Sequence, residues 1–284
     1  MRKLLCVLIC MLMPCMALAQ TPRRVVSLYG SFAEAWTQAG GTLAGVTDDA
    51  VSERGLDVDS AMVIGTTKAP NLELVLSLDP DLVILSSDIA AQSGAREVLQ
   101  NAGVPCRAYR VDTWRDYAAM MDDFTRLTGR RDLYEAIIPP MEKQIESVIS
   151  AAKKKQGPKT LLLRAYSGGA KVKGADNLAG AMLRDLGCVN VADLHPSLLE
   201  DLSLEAIVTE DPDWILVSVM GGDEEAALKG LYESLGKNPA FQALTAVREG
   251  RMRVLPRELF HYKPNARWAE SYRYLYEMLF EESI

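Results

Sequence analysis

The sequence predicts an α/β protein of two Rossmann-like lobes with mostly parallel sheets, joined by a single long interlobe helix. Short apolar runs alternate with helical segments over residues 24–128 and again over 160–280, which is typical of parallel strands covered by helices. Segment 71–86 also recurs as 203–218. A unit used only twice indicates two lobes of similar construction, and a solenoid is excluded.

The repeated segment has the same plan in both copies. Each begins with a residue that can cap a helix, Asn71 or Ser203, followed by Leu-Glu and an apolar helical turn. A Pro-Asp corner and a short apolar run come next. Glu73 and Glu205 each stand seven residues before the proline of their corner. This spacing predicts a helix, a turn and a buried strand at equivalent places in the two lobes.

The other elements follow the same alternation. In the first lobe we expect strands at 25–28, 43–47, 62–65, 82–86 and 106–110 and helices at 31–38, 72–78 and 92–102. In the second lobe we expect strands at 160–164, 188–191, 214–218 and 252–255 and helices at 177–186, 204–210, 238–247 and 265–280.

Residues 131–155 are helical in composition and connect the two runs. The pair Pro139-Pro140 should kink or split this helix, because a proline inside a helix removes a backbone hydrogen bond. The segment lacks the Gly and Ser of a flexible linker, so we expect a stiff connection and a modest closing motion. The predicted division of the chain is a signal peptide at 1–19, an N-terminal lobe at 20–128, the interlobe helix at 129–157 and a C-terminal lobe at 158–284.

The first nineteen residues read as an export signal. Arg2-Lys3 precede an apolar run, and Ala17-Leu18-Ala19 form a cleavage site. We expect the mature chain in the periplasm or at the outer face of the cytoplasmic membrane. Lipid anchoring at Cys15 is disfavoured, because the residues just before it are not small, but it stays open. No later run is long and apolar enough to span a membrane.

Composition excludes several classes of function. The 38 acidic residues outnumber the 31 basic ones, which argues against nucleic acid and anionic membrane surfaces as partners. Cys106 and Cys188 fall in different lobes and should be small buried apolar groups. Two His in total cannot build a multi-histidine metal site. A nucleophile elbow, a P-loop and a dinucleotide fingerprint are all absent, so we expect no enzyme.

The lobe start V-V-S-L-x-x-S-x-x-E at 25–34, segment 65–86 and segment 202–218 together resemble class III periplasmic substrate-binding proteins. Proteins of that family serve ABC importers of iron-siderophores, haem and cobalamin. The resemblance covers essentially the whole mature chain and implies two α/β lobes joined by one long helix. It also implies that Glu73 and Glu205 dock onto paired arginines of the importer permease. The alternative is structural, because a Glu in a first helical turn is favoured by the helix dipole.

Ligands of open α/β sheets bind beyond the carboxyl ends of the strands, which identifies the candidate ligand contacts. Segment 257–268 is the richest of these ends, since its aromatic rings suit a planar macrocycle or catechol and its cations suit an anionic chelate. Whether His261 or Tyr262 ligates a metal stays open, and a purely structural loop is the alternative. The full set of candidates is Tyr29, Thr67, Lys68, Arg164, Tyr166, Met220, His261, Tyr262 and Arg267.

The expected function is an extracytoplasmic solute-binding protein that captures an iron chelate, a siderophore or haem, between its lobes and delivers it to an ABC importer. We expect a monomer with no intrinsic cofactor, whose ligand is a chelated iron or a tetrapyrrole. A cobalamin or corrinoid binder of the same fold is the alternative, although Thr67 stands where the cobalamin-binding members carry a Trp. A sensor or adhesin domain without a permease is a further alternative.

Overall fold

The first sheet contains five parallel strands in the order β3-β2-β1-β6-β7. The structure is a computed structural model that describes residues 21–58 and 60–283. The elements of this first lobe are β1 (Val25–Ser27), α1 (Gly30–Gln38), β2 (Gly45–Val46), α2 (Asp49–Ser52), β3 (Met62–Val63), β4 (Gly65–Thr66), β5 (Ala69–Pro70), α3 (Leu72–Ser77), β6 (Leu82–Ser86), α4 (Ala90–Asn101), β7 (Cys106–Tyr109) and α5 (Trp114–Thr128). Strands β4 and β5 form a small antiparallel hairpin beside the sheet.

The second sheet has the order β10-β8-β11-β12, and β9 pairs with β8 in the antiparallel direction. Helix α6 (Arg131–Ala152) precedes it. Its elements are β8 (Lys159–Tyr166), β9 (Gly169–Val172), α7 (Leu178–Asp185), β10 (Val189–Asn190), α8 (Val191–Leu194), α9 (Leu204–Glu210), β11 (Trp214–Val219), α10 (Glu224–Leu231), α11 (Pro239–Gln242), α12 (Thr245–Arg248), β12 (Met252–Val254), α13 (Arg257–Phe260) and α14 (Trp268–Phe280). The mixed α/β class with parallel sheets is confirmed.

Several details of the second lobe differ from the sequence prediction, which also lacks helices α8 and α10. The helix expected at 238–247 is two short helices, α11 and α12, because the backbone of Leu244 between them, with φ of −56° and ψ of 140°, is not helical. The hairpin of β8 and β9 was not predicted. Its turn at 167–168 contains one Gly and its second strand is only four residues long, so the periodicity signal is weak.

Helix α6 runs as one element of 22 residues through Pro139 and Pro140, so the pair does not split it, and the kink stays a prediction. Each proline removes one backbone hydrogen bond, but the helix is supported on both sides of the pair by burial. Ile138 is buried on the N-terminal side, and Met141 and Ile145 are buried on the C-terminal side. The helix packs against α5 and α14, and these contacts offset the missing bonds.

The repeated segment builds the same corner in both lobes. The Asp81 carboxylate accepts hydrogen bonds from the backbone N–H groups of Arg23 and Arg24, at 2.8 and 2.9 Å. The Asp213 carboxylate accepts one from the N–H of Lys159 at 2.8 Å. Arg24 directly precedes β1, and Lys159 begins β8. In each lobe the corner therefore ties the new strand to the first strand of its sheet, and the backbone donors lower the pKa of the Asp81 carboxyl.

One cluster of buried side chains extends from a face of the first sheet to a face of the second. It includes Ile84 in β6, Phe124 in α5, Ile145 in α6, Leu216 in β11 and Trp268 in α14, and all five are fully buried. Among the described residues, Cys106 and Cys188 are free thiols, with Cys188 buried and Cys106 half-buried. Within the described residues, no helix combines the length and the apolar character needed to cross a bilayer.

Removing either corner carboxylate should destabilise the fold. We expect Asp81→Ala and Asp213→Ala each to lower the free energy of unfolding by about 1 to 2 kcal/mol, because hydrogen bonds to a charged acceptor are lost. Denaturant unfolding followed by circular dichroism measures the change. Asp201→Ala is the matched control, since this exposed side chain forms no hydrogen bond or ion pair among the described residues. An equal decrease in the free energy of unfolding in all three variants would contradict the stabilising role of the two corner carboxylates.

Candidate functional site

The candidate site is a cleft between the two lobes, at the carboxyl ends of the strands. It consists of two adjoining cavities of about 350 and 400 Å³, which share Tyr29 and His261. The first, here called the acidic half, is also lined by Asp48, Asp49, Ser52, Glu53, Thr66, Thr67, Lys68, Met220, Gly221 and Tyr262. The second, here called the basic half, is also lined by Asp88, Arg110, Asp112, Arg164, Lys173, Asp176, Asn177, Leu178, Phe260 and Lys263. Both volumes lie in the range of small-molecule sites.

Two neutral groups stand where the halves meet. Tyr29 follows β1 and precedes α1, and its ring packs edge-on against Phe32 with 5.0 Å between centroids. Burial raises the pKa of Tyr29 to about 12. His261 follows α13, and burial, reinforced by the charges of Arg257 and Arg164, lowers its pKa to about 4. At neutral pH the junction therefore offers a phenol and an uncharged imidazole, which can accept a hydrogen bond or a metal.

Arg164 is one of two cations of the basic half, with Lys173, that form no ion pair among the described residues. It lies in β8, opposite Lys171 of β9 and Ser218 of β11. Burial lowers the pKa of its guanidinium, and the negative charges of Asp176 and Asp112 in the same cavity oppose this shift. The group stays charged because an arginine does not deprotonate in proteins. Its buried Nε has no hydrogen-bond partner, and its guanidinium forms no ion pair, among the described residues. A desolvated charge with an unfilled donor favours an anion in the cavity.

The neighbouring cations are mostly neutralised by protein carboxylates. Lys263 Nζ lies 3.3 Å from Asp112 and 3.8 Å from Asp88, and this contact joins the second lobe to the first. Arg110 Nε lies 2.5 Å from Asp112 and 3.4 Å from Asp88. Lys173 has no ion pair within the described chain, and burial lowers its pKa, as does the charge of Arg164. Arg164 and Lys173 are thus the cations of this half without an ion pair, although the carboxylate of Asp176 in the same lining offsets part of their charge.

One carboxylate of the acidic half, that of Asp49, stabilises the local fold. Asp49 accepts hydrogen bonds from the backbone of Gly30 at 2.8 Å and from Thr47 Oγ1 at 2.5 Å. It therefore holds the start of α1, and burial raises its pKa. Burial also raises the pKa of Glu53, with the charge of Asp49 as a further cause. Lys68 is exposed at the tip of the β4–β5 hairpin.

Tyr262 is held by groups from both lobes. Arg257 Nη2 donates to its hydroxyl at 2.7 Å and lies 5.4 Å from the ring centroid. From the first lobe, the Arg54 guanidinium lies 6.0 Å from the same centroid and pairs with Glu34. Asn265 Nδ2, in the second lobe, donates to Glu34 at 2.8 Å. This network fixes the wall of the cleft across the two lobes.

Seven of the nine ligand contacts predicted from the sequence line the cleft: Tyr29, Thr67, Lys68, Arg164, Met220, His261 and Tyr262. The lining does not include Tyr166 or Arg267. Tyr166 lies at the β8–β9 turn, opposite Gly169. Arg267, which directly precedes α14, forms an ion pair at 2.7 Å with Glu270 in the first turn of that helix.

The candidate contacts predicted from the sequence leave out several charged groups at the cleft. Asp112 follows β7, so the rule of strand ends could have identified it as a lining residue, as it does Asp88 after β6. Lys173 follows β9, a strand that the sequence did not reveal. Arg54 follows α2 and reaches Tyr262 only through the tertiary fold, and no local pattern indicates it.

The described residues contain no group of three or more His, Cys, Asp or Glu side chains placed to hold a metal ion. The predicted docking residues, Glu73 and Glu205, are exposed in the first turns of α3 and α9. Neither carboxylate has an ion-pair partner in the part of the chain that the structure describes.

Comparison with known proteins gives consistent matches. The family described as "Periplasmic binding protein" matches residues 25–259. The Fe(3+)-citrate-binding protein YfmC of Bacillus subtilis is 25% identical over 240 residues, which are 82% of this chain and 72% of that protein. The Fe(3+) dicitrate-binding periplasmic protein FecB of Escherichia coli is 24% identical over 238 residues, 82% of this chain and 76% of that protein. A periplasmic heme binding protein from Pseudomonas aeruginosa superposes with a TM-score of 0.73 at 22% identity, over 93% of this chain and 94% of that one.

The depressed pKa of His261 predicts a pH dependence of stability. The unfolded chain binds a proton at this residue near pH 6.5, whereas the folded chain does so only near pH 4, so stability falls as pH drops between these values. When the pH falls from 7.5 to 4.5, we expect the free energy of unfolding of the wild type to drop by about 2 kcal/mol more than that of His261→Gln, which lacks the titrating imidazole. Denaturant unfolding at the two pH values measures this difference. A variant that follows the wild type at both would contradict the buried neutral imidazole.

Proposed function

Because this chain belongs to the periplasmic binding protein family, we propose that it captures an anionic ferric chelate between its lobes and delivers it to an ABC importer. The observation that carries the proposal is the unpartnered Arg164 in the wall of the basic half. Family members are binding proteins, and in this reading the chain performs no catalysis and needs no resident cofactor. The ferric chelate is its cargo.

The charges of the basic half suit carboxylate oxygens of a chelate. Arg164 has an unfilled Nε–H donor, and Lys173 supplies a second unpaired cation. Guanidinium and ammonium groups form strong charge-assisted hydrogen bonds with carboxylates, and the partial burial of Arg164 strengthens them. Ferric hydroxycarboxylates such as ferric citrate carry such oxygens on their surface. Two relatives in the comparison are named for binding ferric citrate, which agrees with this choice.

Haem is the second candidate, and the junction of the two halves favours it. The neutral imidazole of His261 lies beside the Tyr262 ring, with 4.8 Å between centroids, and Tyr29 lines the same junction. An uncharged imidazole or a phenol can ligate the iron of haem. The propionates would then need the cations of the basic half. The cleft thus offers a partner for the iron and for the propionates of a haem molecule.

Export and delivery complete the proposed function. The signal peptide predicted at residues 1–19 lies outside the described residues and would place the mature chain outside the cytoplasmic membrane. Glu73 and Glu205 are exposed and unpaired, one in each lobe, and we assign them the role of docking onto basic residues of the importer. A monomer suffices for this role, because both contacts belong to one chain.

Replacement of Arg164 tests the proposal. We expect Arg164→Gln to weaken the binding of ferric citrate at least about tenfold, because charged hydrogen bonds to the chelate are lost. Isothermal titration calorimetry of the exported chain with ferric citrate measures the affinity. Arg267→Gln is the matched control, since this arginine pairs with Glu270 and does not line the cleft. Unchanged affinity in Arg164→Gln, or an equal loss in both variants, would contradict the proposed site.

A further inference from the structure

We propose that each docking glutamate acts together with an exposed aliphatic side chain one helical turn later, Leu76 in the first lobe and Val208 in the second. Each lobe would then offer the importer a two-part contact, a carboxylate and an apolar group on one helix face. The inference rests on the proposed function for the identity of the partner. It adds the chemistry that the partner must present, which is a cation beside an apolar surface at two equivalent places.

The two helices carry this pair at matched positions of the repeat. Glu73 and Leu76 lie three residues apart in α3, and Glu205 and Val208 lie three residues apart in α9, so each pair shares a helix face. Leu76 is 38% exposed and Val208 is 39% exposed. The residue just before each of them, Val75 or Ile207, is completely buried. The repeat therefore preserves which residue packs on the sheet and which aliphatic group faces outward.

The position of the pair relative to the cleft supports a role in delivery. A helix between two parallel strands runs opposite to them, so α3 and α9 both begin at the carboxyl end of their sheet, where the cleft lies. The cap of α3, Asn71, comes three residues after Lys68, which lines the acidic half. A protein bound to the first turns of both helices would thus lie near the mouth of the cleft.

Charge identifies the class of partner. The chain has a net charge of −7, and neither Glu73 nor Glu205 forms an ion pair within the described chain. A second copy of this chain would place carboxylate against carboxylate, which is unfavourable, and an anionic lipid surface would be repelled in the same way. Two like sites on one chain instead fit a transmembrane protein made of two like subunits or halves, each with a basic residue next to exposed aliphatic or aromatic groups.

The experiment compares three double variants in proteoliposomes that contain the importer of this chain, with ferric citrate as the cargo. The variant under test is Leu76→Gln with Val208→Thr. The charge variant is Glu73→Arg with Glu205→Arg. The matched control is Met62→Gln with Val254→Thr, which removes aliphatic groups that are 45% and 38% exposed on edge strands β3 and β12. The rate of ATP hydrolysis is measured against the concentration of each variant, and ferric citrate affinity is measured in parallel.

We expect the Leu76/Val208 variant to raise the half-saturating concentration about tenfold, with unchanged ferric citrate affinity, because an apolar anchor is lost from each contact. The charge variant should abolish stimulation, and the Met62/Val254 control should behave as the wild type. The inference is overturned if the charge variant abolishes stimulation while the Leu76/Val208 variant matches the wild type. It is also overturned if the control raises the half-saturating concentration as much as the Leu76/Val208 variant does. In both cases the docking of the glutamates stands. If the charge variant stimulates normally, the docking role of the glutamates in the proposed function fails, and the inference fails with it.

Discussion

The alignment of strands within each sheet depends on one repeated interaction, the hydrogen bonds from the backbone at the start of a strand to the carboxylate of a Pro-Asp corner. Asp81 makes these bonds at the start of β1, and Asp213 makes the equivalent bond at the start of β8. They set β6 parallel to β1, with Ser27 beside Ile84, and β11 parallel to β8, with Ala165 beside Val219. The residues that follow these strands can therefore meet in one cleft.

The cleft acquires its chemistry from an uneven distribution of charge. In the basic half, Asp88 and Asp112 neutralise Arg110 and Lys263, and the Lys263 contact also holds the lobes together. Arg164 is left as a partly buried cation with an unfilled donor. The desolvation of this charge is unfavourable without a counter-ion, and a bound anion offsets it. Anionic ligands therefore bind more strongly here than neutral ligands of the same shape. The buried cluster shared by the two lobes limits how far they can separate.

Much of the fold could be predicted, because its signals are local. The apolar run at 82–86 and the cap at Asn71 identify β6 and α3 from neighbouring residues alone. The site was harder to predict from the sequence. Tyr29 and Arg164 follow from the rule of strand ends, whereas Arg54 reaches Tyr262 only through the packing of the lobes. The ion pair of Arg267 with Glu270, which keeps this cation out of the cleft lining, likewise has no signal in the sequence that sets it apart from a ligand contact.

The most direct test of the account is the position of iron in crystals of the mature chain grown with ferric citrate. Diffraction data collected at the iron absorption edge should show one anomalous peak between the lobes, with a carboxylate oxygen of the chelate within hydrogen-bonding distance of Arg164 Nε. A peak outside the cleft would contradict the account. So would the absence of iron from crystals with ferric citrate, if haem or cobalamin occupied the same cleft under matched conditions.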